Sequence, residues 1–99
     1  MSAFVKGWKY SNISASTGNI DVPAGKYMAG AVATFGGGSV KLQRLLADGT
    51  TYASVSSATD FTAAGNGTVD LPEGTYRFTI ATATAVYADL VPIYVIQGS

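Results

Sequence analysis

The chain has 99 residues, 47% hydrophobic and only 12% charged, with six basic and six acidic side chains in balance. That length suits one domain around one core and excludes a separate catalytic domain. A charged fraction near half the usual ~25% leaves a thin solvated coat, so part of the surface is expected to be covered by a partner or another copy.

The cations Lys6, Lys9, Lys26, Lys41, Arg44 and Arg77 are scattered along the chain. None forms the cluster that neutralises phosphates or anionic lipid, so nucleic acid and membrane surfaces are not expected partners. Met1 to Lys6 lack the charged region and apolar stretch of a secretory signal, and the longest apolar run, Leu90 to Ile96, has strand length. Synthesis in the cytosol is the expectation.

Short β-branched and aromatic runs, divided by Gly, Pro, Asn and Asp roughly every 8–12 residues, predict an all-β chain. The first strand is expected over Ala3 to Tyr10, where Phe4, Lys6, Trp8 and Tyr10 share one face. Residues 1–16 read as an N-terminal arm or edge strand of a single domain spanning 1–99. Strands follow over Thr17 to Val22 and Lys26 to Phe35, and Gly36-Gly37-Gly38 reads as a flexible loop tip. The next runs are Ser39 to Leu46 and Thr50 to Ser56. Between them Ala47-Asp48-Gly49-Thr50 is a hairpin signal in which Gly takes positive φ. Gly67 to Leu71, Thr75 to Thr84 and Asp89 to Gln97 complete eight strands.

An internal repeat organises these elements. Gly18-Asn19-Ile20-Asp21-Val22-Pro23-Ala24-Gly25-Lys26-Tyr27 aligns without gaps with Gly67-Thr68-Val69-Asp70-Leu71-Pro72-Glu73-Gly74-Thr75-Tyr76, at an offset of 49 residues. In each copy an apolar strand ends at Pro, Gly turns the chain and Tyr opens a long strand. Two such units facing one another predict an antiparallel β-sandwich, jelly-roll or immunoglobulin-like, with about four strands per sheet. Tyr76, Phe78 and Ile80 alternate with Arg77, Thr79 and Ala81, a half-buried pattern. Tyr27 to Phe35 carries small residues on both faces and so permits close approach of a neighbouring sheet or subunit. Leu90 to Ile96 is apolar on both faces and needs a cover on one of them.

The sequence has no His and no Cys. Disulfides, the commonest general base and most transition-metal ligands go with them, so neither cofactor nor metal is expected, and no enzymatic activity. Asp21 and Asp70 hold matching places in the repeat, which could bring two carboxylates together as a glycosidase pair or a calcium site. The plainer reading has each end its strand and accept a turn hydrogen bond. For binding, Phe4, Trp8 and Tyr10 are the candidate partner interface, against the alternative that their rings close the core. Leu90, Tyr94 and Ile96 are the candidate subunit interface.

Two segments resemble small head proteins of tailed bacteriophages, of the capsid decoration and head-fibre type. One is Gly37-Gly38-Ser39-Val40-Lys41-Leu42-Gln43 with Asp48-Gly49-Thr50. The other is Val69-Asp70-Leu71-Pro72-Glu73-Gly74-Thr75-Tyr76-Arg77, running on to Ala83-Thr84-Ala85-Val86-Tyr87-Ala88. Such proteins share no catalytic motif, so no site residue is carried over. The resemblance implies a non-enzymatic structural protein of the virion that decorates or cements a capsid surface. Its partners would be the major capsid protein or another virion protein, and it would be a homo-oligomer, a trimer above other states. A carbohydrate- or receptor-binding module of a phage fibre and a small glycan-processing enzyme are the alternatives.

Overall fold

Alternation of large and polar side chains sets the strands, and β8 (Gly74–Ala81) shows how: Tyr76 and Phe78 are buried, while Thr75, Arg77 and Thr79 between them stay half-exposed. Successive side chains of a strand point to opposite faces, so one face of β8 fills the core and the other meets water. Burying Phe78 alone contributes roughly 1.5–3 kcal/mol. The structure, a computed structural model, describes residues 7–93. Besides β8 it contains β1 (Trp8–Ile13), β2 (Ile20–Val22), β3 (Gly25–Thr34), β4 (Ser39–Leu45), β5 (Tyr52–Ser54), β6 (Asp60–Phe61), β7 (Gly65–Leu71) and β9 (Thr84–Pro92). A single 3-10 turn, Ser57–Thr59, lies between β5 and β6.

These strands form two sheets, one in the order β1-β9-β3-β7 and one in the order β2-β8-β4-β5, with β6 also paired to β4. All pairings are antiparallel. The fold is an all-β antiparallel sandwich, as the sequence predicts. Val22, Tyr27, Val40, Leu42, Tyr76 and Leu90 are among the fully buried side chains between its sheets.

The repeat is written into the pairing. Ile20, Asp21 and Val22 of β2 face Tyr76, Thr75 and Gly74 of β8. Their equivalents Val69, Asp70 and Leu71 of β7 face Tyr27, Lys26 and Gly25 of β3. The correspondence extends to whole sheets, since replacing each strand by its equivalent turns β9-β3-β7 into β4-β8-β2. Every strand pairing joins a residue before the Asp48-Gly49 turn to one after it. Except at that turn and along β5 to β6, each connection carries the chain from one sheet to the other.

Four local features differ from the sequence reading. The strand expected to reach Thr84 ends at Ala81, and the last one starts at Thr84 rather than Asp89. Thr82 and Ala85 adopt positive φ of 67° and 52° there, and Ala83 N–H bonds the Ala81 carbonyl at 2.7 Å. Non-glycine residues rarely hold that conformation, which is why no turn residue announces it. Gly36 and Gly37 form a tight turn rather than a flexible tip, closed by the Gly38 N–H on the Phe35 carbonyl at 2.7 Å. The first strand runs on through Ser11 and Asn12 to Ile13, with a register shift after Tyr10 and Asn12 at φ 53°. Finally, β6 adds a ninth strand too short to be read from sequence.

Candidate docking face

The outer faces of the two sheets are built differently. On the five-stranded sheet the polar side chains bind one another. Arg77 lays its guanidinium 3.6 Å from the centroid of the Tyr52 ring, and its Nε donates to Thr79 Oγ1 at 3.2 Å. The Thr79 hydroxyl donates to Gln43 Oε1 at 2.6 Å, and the Tyr52 hydroxyl to Asn19 Oδ1 at 2.6 Å. Such a face is largely satisfied by its own groups.

On the four-stranded sheet the outer face is apolar and concave. The exposed large hydrophobic side chains among the described residues are Met28, Val32 and Tyr87, and all three stand on it. Their exposure, 38%, 50% and 50%, is what a covered face would remove. Register places them in rows across the sheet, with Val32 beside Tyr87 and Met28 beside Val91. Between the two rows runs a polar one, Lys9, Asp89, Gly30 and Asn66, one residue from each strand. A Cβ on Gly30 would come within 3.1 Å of Asp89 Oδ1, so the missing side chain is what opens the middle of the face. The result is an open groove of about 750 Å³.

Of the residues singled out from sequence, Tyr10 borders this groove, whereas Trp8 and Leu90 do not line it. Trp8 and Tyr10 sit half-buried on the inward side of β1. Their rings meet Tyr27 at 6.4 Å and 44° and Phe78 at 6.0 Å and 74°. Leu90 is fully buried. Phe4, Tyr94 and Ile96 lie outside the described residues. The outward positions of the same strands, Lys9 and Tyr87, lie one step out of phase with Trp8 and Leu90. The signal available was Met28-x-Gly30-x-Val32, alternating with Tyr27, Ala29 and Ala31.

Asp21 and Asp70 belong to strands of different sheets. Asp21 Oδ1 accepts from the Thr75 hydroxyl at 3.1 Å, and Asp70 stands opposite Lys26. Among the described residues no cluster of three Asp or Glu is placed to hold a metal ion. Asp60 Oδ1 is buried without a hydrogen-bond partner, beside its cross-strand neighbour Lys41. Asp48 and Tyr76 are clearly perturbed ionisable groups. Bonds from Thr51 and Thr50 hold the Asp48 carboxyl down at about 2, and burial raises the Tyr76 phenol, with Arg44 opposing. Neither lies in the groove. No family model, curated protein or solved structure matches the chain.

Proposed function

We propose that this chain is a non-catalytic binding module that attaches to another protein through the outer face of its four-stranded sheet. The observation that carries this reading is the contrast between the two outer faces, one closed by its own hydrogen bonds, the other holding the exposed Met28, Val32 and Tyr87 around an open groove. Its occupant is a protein surface with an apolar patch and one charge of each sign, to meet Lys9 and Asp89. The resemblance to phage head proteins makes that surface the shell of a virus particle, and the chain a decoration protein of its capsid.

The test is co-sedimentation with empty shells assembled from the major capsid protein of a tailed bacteriophage. Wild-type chain should pellet with the shells. The Val32→Asp/Tyr87→Ala variant should stay in the supernatant at least tenfold more, with its circular dichroism unchanged. Equal pelleting of that folded variant removes the face from the interaction.

A second reading uses the same Tyr87 ring, which shares its groove with the polar side chains of Lys9, Asp89 and Asn66, as a platform for a sugar ring. Retention on a glycan panel that Tyr87→Ala abolishes, without shell binding, would favour the fibre-type module.

A further inference from the structure

The strand pairings divide the chain in an unusual way. Residues 7–47 contribute β1 to β4, residues 50–93 contribute β5 to β9, and no strand of either half pairs with a strand of its own half. The longer-range side-chain bonds follow the same division. Thr17 Oγ1 accepts from the Phe78 N–H at 3.0 Å, Ser16 Oγ from the Ile80 N–H at 2.9 Å, and Thr79 donates to Gln43 at 2.6 Å. What each half needs is the other half, and nothing in the pairing requires that both belong to one chain.

Covalently, the halves are joined only at the turn over residues 46–51. That turn is held by the Leu46 N–H on the Thr51 carbonyl at 2.8 Å and the Gly49 N–H on the Leu46 carbonyl at 3.0 Å. The Asp48 carboxylate adds bonds from the Thr50 and Thr51 N–H groups and the Thr51 hydroxyl. Gly49 holds a φ of 77°, and the side-chain bonds of the turn are exposed. Extended, these six residues span about 20 Å at roughly 3.3–3.6 Å each. Opening the turn gives up these few bonds and keeps the strand pairings, provided the first half of one copy meets the second half of another.

We infer that this protein assembles with further copies of itself by exchanging halves, the 46–51 segment acting as hinge and each sandwich being completed by strands β1 to β4 of one copy and β5 to β9 of the next. The exchange closes with two copies and closes equally as a ring of three. It is separate from the docking face, which lies outside every sandwich so formed, and rests on the pairing pattern alone.

The absence of cysteine makes the test direct. Lys26 and Asp70 are exposed cross-strand partners in β3 and β7, one from each half. Antiparallel partners lie about 4.5–5.5 Å apart at Cα, within reach of a disulfide. Full-length Lys26→Cys and Asp70→Cys chains are mixed, unfolded, refolded together at high concentration and oxidised. The expected product is a covalently linked pair of chains, absent when either variant is refolded alone. Its yield should rise several-fold with concentration, and again when Gly49→Val strains the closed turn. A single chain carrying both substitutions reports whether the bond can form. Asp21→Cys with Thr75→Cys, across β2 and β8, is the second pair. If the intrachain bond forms at either pair, yet mixed single variants of that pair never link at any concentration, with or without Gly49→Val, the exchange does not occur. Light scattering on the linked product then reads two copies or three.

Discussion

Tyr27 and Tyr76 stand 49 residues apart and make the same hydrogen bond: each hydroxyl donates to the carbonyl of the proline four residues before it, at 2.6 Å. Each ring is buried and each opens the long strand after a Pro-x-Gly turn, so the bond fixes the corner where the chain changes sheet. Removing one hydroxyl leaves a partly buried carbonyl without that donor, at a cost of about 1–2 kcal/mol. Tyr27→Phe and Tyr76→Phe are expected to lower stability by similar amounts in urea unfolding. A loss confined to one of them would show that the two corners are equivalent in shape only.

The Tyr76 phenol also predicts alkaline behaviour. Burial raises its pKa above the ordinary value of 10.0, so the native state holds this proton more tightly than the unfolded chain does. The contribution is complete below about pH 10 and is lost as pH rises through the raised native value. Wild-type stability should therefore fall more steeply above pH 10 than that of Tyr76→Phe, as read from thermal unfolding at successive pH values.

Asp48 gives the opposite sign. Its native pKa, held at about 2 chiefly by the Thr51 hydroxyl and N–H, lies below the unfolded value. Its stabilisation is therefore present above about pH 4 and disappears as pH falls towards 2. Asp48→Asn should melt below wild type at neutral pH, and the two melting curves should converge near pH 2.

Inward and outward residues on the same strands should separate cleanly. Leu90→Ala removes a fully buried side chain and is expected to cost about 2–5 kcal/mol. Trp8→Ala, which takes away the ring packed on Tyr27, should also destabilise the fold, by roughly 2–4 kcal/mol. Tyr87→Ala, one face over, should change stability by less than about 0.5 kcal/mol. Chemical denaturation of the three variants decides the order.

Gly38 is the most closely approached glycine among the described residues. A Cβ there would collide with the Ala81 carbonyl and crowd Thr82 Cβ at 2.7 Å. Gly38→Ala is expected to destabilise by more than about 2 kcal/mol, because the obstacle is backbone that cannot rotate away. A Cβ on the neighbouring Gly36 would meet nothing within 4 Å, and only its φ of 56° resists a side chain. Gly36→Ala should therefore cost less, roughly 1 kcal/mol.

Much of this architecture is legible in residue pattern because each relevant signal is local. Asp48-Gly49 marks a hairpin, Pro23-x-Gly25 and Pro72-x-Gly74 mark the corners, and the aligned decapeptides reveal two equivalent units. The Thr82 turn is illegible, since no glycine or proline marks it and the Gly38 backbone packed against it comes from far along the chain. The proposed docking face is illegible for a related reason. Which side of β3 and β9 meets the second sheet depends on register, and Met28, Val32 and Tyr87 become notable only once that side is known. The large rings of Trp8 and Tyr10 turn inward, whereas Lys9 between them is exposed.

The placement of all strand partners beyond Asp48 has a consequence for biosynthesis. While β1 to β4 emerge from the ribosome, none of them has a neighbour to pair with. At about 5–20 residues per second, translation of the second half leaves β1, whose partner is β9, unpaired for roughly 2–10 s. The β4–β5 hairpin is the first pairing that can form, β7 and β8 then take up β3, β2 and β4, and the fold closes when β9 slides between β1 and β3. In a polysome, the nearest late-arriving β7 to β9 can belong to the neighbouring nascent chain.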